Sequence, residues 1–287
     1  MCKNKILKIK KGYLHRDFKI FHLKNRESID FQFHYHDFNK IVIFVSGDTT
    51  YLIEGNSYKL KPWDILLINS NDIHKAVIDP NKIYERIIFW VNPDFLIKYN
   101  NNCNLLSCFD LASAQRFNLL RLDGPQLADT KKLLSRIKSS LKNREFGYKT
   151  LINCLFIQFM VYINRWFLDQ KNLREFSDIK CDENIGSILN YINKNLSSDL
   201  SIDSISSRFY MSKYYLMHKF KEQTGYTIHN YIIQKRLIMS NLLIKKGRSI
   251  TDACMESGFN DYSNFSRAFK KIFMLSPKEY YKKNFMR

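Results

Sequence analysis

The chain has 287 residues, 45% hydrophobic and 25% charged, which is the composition of a globular protein long enough for two domains. Its formal net charge is +19, an excess of positive charge that attracts polyanions such as nucleic acid. The six cysteines are scattered without C-x-x-C spacing, which argues against a disulfide framework or a cysteine-rich metal site. A coding bias towards Lys, Asn and Ile would raise the charge as well, so the overall charge alone does not decide between these explanations.

We expect a soluble, cytoplasmic protein. The first residues are basic, but no long apolar run follows them, so no secretory signal is predicted. The most apolar stretch, residues 151–168, is interrupted by Asn153, Gln158, Asn164 and Arg165. We interpret it as too short and too polar to span a membrane of about 20 residues, and predict a core or interface helix instead.

Residues 6–95 consist of short runs rich in Ile, Val, Phe and Tyr, separated by turn residues. The clearest runs are residues 40–45, 50–53, 65–68 and 84–91. Strands of this length at this spacing predict an antiparallel sandwich or barrel.

The apolar period becomes helical after residue 125. One helical stripe is formed by Leu127, Leu133, Leu134, Ile137 and Leu141, and a second helix is predicted over residues 148–168. The second helix is apolar over most of its circumference, which predicts burial on several sides. Either it pairs with its copy in a second subunit through Leu155, Phe156, Phe159, Met160, Ile163 and Phe167, or it packs on the barrel of its own chain. Residues 171–183 are polar and are predicted to be a linker.

Residues 184–287 carry 17 Lys/Arg and 7 Asp/Glu, a charge of +10, whereas the first 183 residues carry +9. The positive charge is therefore about twice as dense in this zone. A uniform coding bias does not explain this asymmetry, which favours a nucleic-acid partner.

This zone contains an internal repeat offset by 49 residues, in which residues 211–221 pair with residues 260–270. Each copy opens with a residue suited to cap a helix, Ser212 or Asp261. Each then places two large apolar residues four positions apart, so that both face the core. These pairs are Leu216 with Phe220 and Phe265 with Phe269.

A shorter helix is predicted before each of these helices, over residues 202–209 and 251–257, and Gly258 and Phe259 supply the second turn. A long helix over residues 228–245 joins the two units. Its predicted core residues are Ile232, Leu237, Leu242 and Leu243. A single helix-turn-helix is hard to distinguish from an ordinary helical hairpin, but two in one basic block predict recognition helices for the DNA major groove.

The C-terminal zone resembles the DNA-binding domain of the AraC family of bacterial transcription regulators. The matching motifs are residues 249–254, 258–259, 262–271, 276–277 and Tyr280 in the second unit, and residues 211–212, 215–216, 220–221 and 224–225 in the first. Ser206 and Cys254 stand where the family usually has Ala, and both are small enough for the packing to survive. Met274 replaces a family glycine after the second recognition helix, which leaves the helix stop there in doubt.

Helical geometry points one set of side chains outward, and the resemblance implies that these positions contact DNA. Base contacts are predicted for Tyr214, Met217, His218, Tyr262, Ser263, Ser266 and Arg267. Phosphate contacts are predicted for Ser212, Lys219, Lys221, Lys270 and Lys271. Arg267 is the strongest candidate for direct readout, because arginine forms a bidentate pair with guanine.

Residues 33–38, 46–47, 61–64 and 71–74 resemble a cupin barrel, which AraC-family regulators often carry as a sensor. In metal cupins, a His-x-His pair, a Glu four residues further on and a later His bind the ion. His34, His36 and His74 match the histidines, but the Glu position holds Lys40. A cation there repels a metal ion and removes an anionic ligand, so we predict no metal and no cofactor.

The sequence therefore predicts an α+β chain: a cupin-like antiparallel β-barrel (residues 1–95), a helical dimerisation segment (96–170), a linker (171–183) and two helix-turn-helix units joined by a long helix (184–287). We predict a transcription regulator, an activator and not an enzyme, with promoter DNA, RNA polymerase and a second subunit as partners. A small polar or anionic effector would occupy a barrel pocket lined by His34, His36, Lys40, Tyr51, Trp63 and His74. The alternatives are a filled barrel that binds nothing, and a cupin-type metal-dependent enzyme with a basic appendage.

Overall fold

The computed structural model describes residue 14 and residues 17–25, 33–169, 179–180 and 182–285. The chain divides into two compact units, residues 1–180 and 181–287. Most of the predicted linker lies outside the described residues. Its described part differs from the prediction, because residues 179–180 form a short strand of the N-terminal unit and a helix already begins at Glu183.

The strands of the N-terminal unit pair in antiparallel fashion as two sheets. They are β1 (Phe18–Asn25), β2 (Asn39–Ser46), β3 (Thr49–Ile53), β4 (Asn56–Lys59), β5 (Ile65–Ile68), β6 (His74–Ile78), β7 (Tyr84–Val91), β8 (Leu119–Leu120) and β9 (Ile179–Lys180). One sheet has the order β1-β7-β2-β5-β8 and the other β6-β3-β4-β9. An isolated bridge between His34 and His74 attaches the segment before β2 to the second sheet.

The helices of this unit pack on the first sheet. They are α1 (Pro93–Ile97), α2 (Ser107–Gln115), α3 (Gly124–Asn143) and α4 (Tyr148–Asp169). Strand β2 shows how the layers are built: Ile41 and Ile43 belong to the core beneath the helices, whereas Val42 and Phe44 belong to the core between the two sheets. Both faces of this strand are buried, so its sequence is a continuous apolar run and not an alternating one.

Helix α4 is a core helix of its own chain. All six residues that were predicted to pair with a second subunit are buried against the first sheet and helices α2 and α3. The prediction that they pair with a second subunit is therefore wrong. They are Leu155, Phe156, Phe159, Met160, Ile163 and Phe167. The helix ends one residue beyond the predicted range, and by length and composition alone its 22 residues could cross a membrane. The prediction that this stretch is too short and too polar to do so is therefore wrong. A mostly buried core helix passes the same test, and the buried residues account for its apolar character.

The C-terminal unit is helical throughout its described residues apart from turns. Its helices are α5 (Glu183–Lys194), α6 (Ile202–Arg208), α7 (Lys213–Thr224), α8 (Ile228–Lys245), α9 (Ile250–Glu256), α10 (Tyr262–Phe273) and α11 (Pro277–Phe285). The predicted helix-turn-helix pairs are α6 with α7 and α9 with α10, and α8 is the predicted joining helix. Leu242, predicted for the core, is exposed instead, because Asn241 and Ile244 occupy the buried side of that turn.

Candidate DNA-binding surface and histidine cluster

The two recognition helices, α7 and α10, begin at equivalent side-chain caps. The Ser212 hydroxyl oxygen accepts the backbone N–H of Tyr215 at 3.2 Å. The Asp261 carboxylate accepts the backbone N–H groups of Ser263 and Asn264, both at 3.0 Å. These two backbone hydrogen bonds lower the pKa of Asp261, so the cap stays ionised at the positive end of α10.

The turn of the second unit depends on Gly258. This residue has a φ of +90°, and a Cβ placed there would lie 2.1 Å from the backbone oxygen of Leu196. The corresponding turn of the first unit holds Tyr210, also in the left-handed region with a φ of 53° and almost fully exposed. Glycine is therefore required at residue 258 by a close approach of the backbone, and not by the turn conformation alone.

The first helices of both units pack as predicted in spite of their departures from the family pattern. Ser206 and Cys254 are both buried, and the Ser206 hydroxyl donates to the backbone oxygen of Asp203 at 3.0 Å. The Ser249 hydroxyl oxygen accepts the backbone N–H of Asp252 at 3.0 Å and donates to its carboxylate at 2.7 Å. This differs from a capping box, in which the carboxylate would reach the backbone N–H of the cap residue.

The apolar pairs predicted to face inward are fully buried: Leu216 and Phe220 on α7, and Phe265 and Phe269 on α10. The opposite faces hold the residues predicted to read bases. Of these, Tyr214, Met217, His218, Tyr262, Ser263 and Arg267 are exposed, and Ser266 is half-buried. The outward orientation is therefore confirmed, and the contacts with DNA remain a prediction.

The predicted phosphate contacts differ in their surroundings. Lys221, Lys270 and Lys271 are exposed. Lys219 is half-buried, and its Nζ lies 3.2 Å from the Glu222 carboxylate and 3.9 Å from that of Asp182. The ion pair with Glu222 raises the pKa of Lys219. A phosphate would have to compete with these carboxylates for Lys219.

In the N-terminal unit, three histidines lie together on the 33–38 segment and β6. One ring nitrogen each of His34, His36 and His74 lies within 4.8 Å of the others. Burial, together with nearby Lys40 and His34, lowers the pKa of His36 to about 2. Burial also holds the pKa of His74 well below its usual value, again assisted by Lys40. Burial and the neighbouring positive charge of Lys40 therefore favour the neutral imidazoles of His36 and His74.

Two buried cations lie on adjacent strands in the same interior. Lys40 on β2 has its Nζ 3.3 Å from His74 Nε2 and 5.9 Å from the centre of the Tyr51 ring. Burial, together with the positive charge of Arg86, lowers the pKa of Lys40 to about 7. Arg86 on β7 donates to Asn25 Oδ1 at 2.6 Å and stacks over the Tyr84 ring.

Arg86 was not predicted to lie in this interior, although the strand pattern indicates the side to which it points. It lies two residues from both Tyr84 and Ile88 on β7, which are buried, so it points to the same side of the strand.

Trp63 was predicted for this pocket, and the structure places it elsewhere. Its ring packs with the core beneath the helices, and the Lys131 ammonium lies 4.6 Å from its centre.

A cavity of about 720 Å³ lies in the C-terminal unit and was not predicted. It is lined by the loop between α5 and α6, by α8 and by Asn260. Arg236 crosses its wall and donates to the backbone oxygens of Leu196 at 2.8 Å and Ser198 at 2.9 Å. These hydrogen bonds give Arg236 a structural role in holding the loop.

Two recognition helices at the ends of one joining helix, on a chain with a separate sheet domain, define a DNA-binding transcription regulator. Family models agree: residues 205–283 match a helix-turn-helix domain, and residues 20–160 match the AraC-like ligand binding domain. The chain belongs to the AraC family.

Curated relatives are similar over nearly their whole length. The chain is 26% identical over 268 residues to the transcriptional activator RhaR of Mannheimia succiniciproducens, covering 87% of each chain. It is 23% identical over 251 residues to the transcriptional activator RhaS of Shigella sonnei, again covering 87% of each. A solved structure of ToxT from Vibrio cholerae is 18% identical, with a TM-score of 0.36 and coverage of 93% of this chain and 98% of that one.

Proposed function

We propose that this chain is a cytoplasmic, sequence-specific transcription activator that binds promoter DNA through α7 and α10. The observation that carries the proposal is the pair of capped recognition helices, each with a buried apolar pair on one face and exposed side chains on the other. Two such helices on one unit suit successive major grooves on the same face of a duplex, about 34 Å apart.

Within this proposal, base readout falls mainly to α10. Arg267 is exposed, and its NH2 group donates to the Asn264 side-chain oxygen at 2.5 Å, a hydrogen bond that holds the guanidinium over the outer face of the helix. On α7, the rings of Tyr214 and His218 lie 6.3 Å apart and stack along the exposed face. Lys221, Lys270 and Lys271 would contact phosphates, which gives affinity without sequence information.

We propose a small anionic effector for the N-terminal unit. Lys40 and Arg86 are buried in one interior, and the positive charge of Arg86 lowers the pKa of Lys40. Bringing an anion to these two groups would offset the cost of burying like charges together. The metal-dependent enzyme is the weaker alternative, because Lys40 stands in the place of an anionic ligand.

We also propose a homodimer, but through a different face of the helical layer than the sequence predicted. With the core of α4 buried, the large apolar residues left exposed on α3, α4 and the turn between them are Leu141, Phe146, Leu151 and Leu168. Leu151→Glu should then shift the sedimentation coefficient towards that of a monomer and leave the tryptophan fluorescence of the folded unit unchanged. A wild-type chain that sediments as a monomer would refute the dimer.

Genome-wide mapping of bound DNA in the native host, combined with transcript levels in a deletion strain, tests the proposed function. We expect a small set of promoters that share one sequence motif and lose transcription in the deletion strain, as an activator that engages RNA polymerase requires. Bound promoters whose transcription rises in the deletion strain would identify a repressor. Binding without a shared motif would refute sequence-specific regulation.

A further inference from the structure

His74, in the histidine cluster of the N-terminal unit, carries its proton as a metal-binding histidine would. His74 Nδ1 lies 2.9 Å from the backbone oxygen of Asp72. Because a carbonyl oxygen only accepts, Nδ1 carries the proton and the lone pair is on Nε2. Metal-ligating histidines are commonly held in this way, through a backbone carbonyl on the second nitrogen.

A metal ion nevertheless does not fit this cluster, because the lone pair of His74 is already used. Lys40 Nζ lies 3.3 Å from His74 Nε2, and with the proton on Nδ1 the amine is the donor. Lys40 is buried with 6% of its surface exposed, so its amine cannot leave for solvent without a rearrangement of β2. The residue thus brings an amine, which donates a hydrogen bond and becomes positively charged on protonation, to the position that a metal would need.

The spacing of the nitrogens does not exclude a metal. One nitrogen each of His34, His36 and His74 lies within 4.8 Å of the others, close enough for three ligands of one ion. The exclusion therefore rests on Lys40 and its hydrogen bond to His74.

We infer that Lys40 is a built-in replacement for a metal ion, and that its amine alone keeps His34, His36 and His74 from binding a divalent transition metal. The cluster and Lys40 join the 33–38 segment, β2 and β6. His36 Nδ1 is buried and has no hydrogen-bond partner in the part of the chain that the structure describes.

Cobalt titration of the full chain tests this inference, because Co²⁺ bound to histidine nitrogen gives a visible absorption band. Wild type and Lys40→Arg, which keeps the cation, should bind no stoichiometric Co²⁺. Lys40→Glu supplies the missing carboxylate and should bind one equivalent, and Lys40→Glu combined with His74→Phe should lose it. Thermal melting followed by tryptophan fluorescence establishes that each variant is folded.

Two results would overturn the inference. Wild-type protein that binds one Co²⁺ and loses it in His74→Phe would mean that the amine does not exclude a metal. Folded Lys40→Glu and Lys40→Ala proteins that both fail to bind would mean that the three histidines do not form a ligand set. Lys40→Ala serves as the second variant because it removes the amine without adding a charge, and its three histidines should still bind Co²⁺, with weaker affinity than in Lys40→Glu.

Discussion

Met274 ends α10 in the same left-handed conformation with which Gly225 ends α7, at φ angles of 60° and 74°. Each residue donates its backbone N–H to the carbonyl four residues earlier, that of Lys270 or Lys221, at 2.8 Å. The helix stop that the sequence placed in doubt is therefore formed without glycine. This conformation costs a residue with a Cβ about 1–2 kcal/mol.

Met274→Gly should therefore stabilise the C-terminal unit by about 1 kcal/mol, because relief of the left-handed strain exceeds the entropic cost of glycine. Gly225→Ala should destabilise the same unit by a similar amount. All three tryptophans lie before residue 181, so their fluorescence does not follow this unit. Hydrogen exchange of the α10 amides measures it, and slower exchange in Gly225→Ala would contradict the prediction.

Gly258→Ala should destabilise the C-terminal unit by about 3–5 kcal/mol, because the new Cβ meets the Leu196 backbone oxygen at 2.1 Å. Gly247→Ala is the matched control: its φ is +88°, close to that of Gly258, but nothing lies within 4 Å of its Cβ. The control should cost only the backbone strain, about 1 kcal/mol. Equal losses in the two variants, by hydrogen exchange of α9 and α10, would mean that the close approach does not matter.

Lysines on the DNA face should differ according to their ion pairs. Lys270→Ala should weaken binding to all duplexes alike and lower the dependence of log affinity on log salt by about one. Lys219→Ala should have a smaller effect, because the Glu222 and Asp182 carboxylates already neutralise that ammonium. Fluorescence anisotropy at several salt concentrations measures both slopes. A larger slope change for Lys219→Ala than for Lys270→Ala would contradict the interpretation.

The stability of the N-terminal unit should rise between pH 7 and pH 9.5 because of Lys40. Its folded pKa of about 7 is below the unfolded value of 10.5, so the unfolded chain binds more protons in this range. The full difference corresponds to about 5 kcal/mol, present above pH 10.5 and lost as the pH falls to 7. Urea unfolding followed by tryptophan fluorescence should show the rise in wild type and a much flatter profile in Lys40→Met.

His36 should cause a separate loss of stability of the N-terminal unit at acid pH. Its folded pKa is lowered to about 2, so stability is present above pH 6.5 and is lost progressively as the pH falls below that value. His36→Phe should make the same unit less sensitive to acid between pH 6.5 and pH 4. Identical acid profiles in wild type and His36→Phe would show that this histidine is not held neutral by its surroundings.

The sequence predicts the recognition helices better than the elements around them, because a repeated cap and apolar pair is a local signal. It predicted α8 at the observed residues but placed Leu242 in its core, since adjacent leucines do not reveal which of them faces inward. Helix α5 was not predicted, although Ile185, Ile188, Leu189 and Ile192 follow a helical period.

The N-terminal predictions that were wrong depend on long-range packing. Trp63 is close in chain to the strands of the pocket, but the turn that holds it, with a φ of 72°, directs its ring to the helices. The apolar circumference of α4 correctly indicated burial. It did not indicate whether a second subunit or the same chain buries the helix. The helix is covered by the first sheet and by α2 and α3. The sequence of the helix itself contains no local pattern that identifies these neighbours.

Selection of binding sites from a random duplex library with the full chain is the most direct test of the account. We predict enrichment of a bipartite site whose two half-sites lie about one helical turn apart, one for each recognition helix. Arg267→Ala should relax the preference at a single base position in one half-site and cost about 1–3 kcal/mol on the preferred duplex. No enriched sequence at physiological salt, or equal losses on selected and random duplexes for Arg267→Ala, would contradict sequence-specific recognition by these helices.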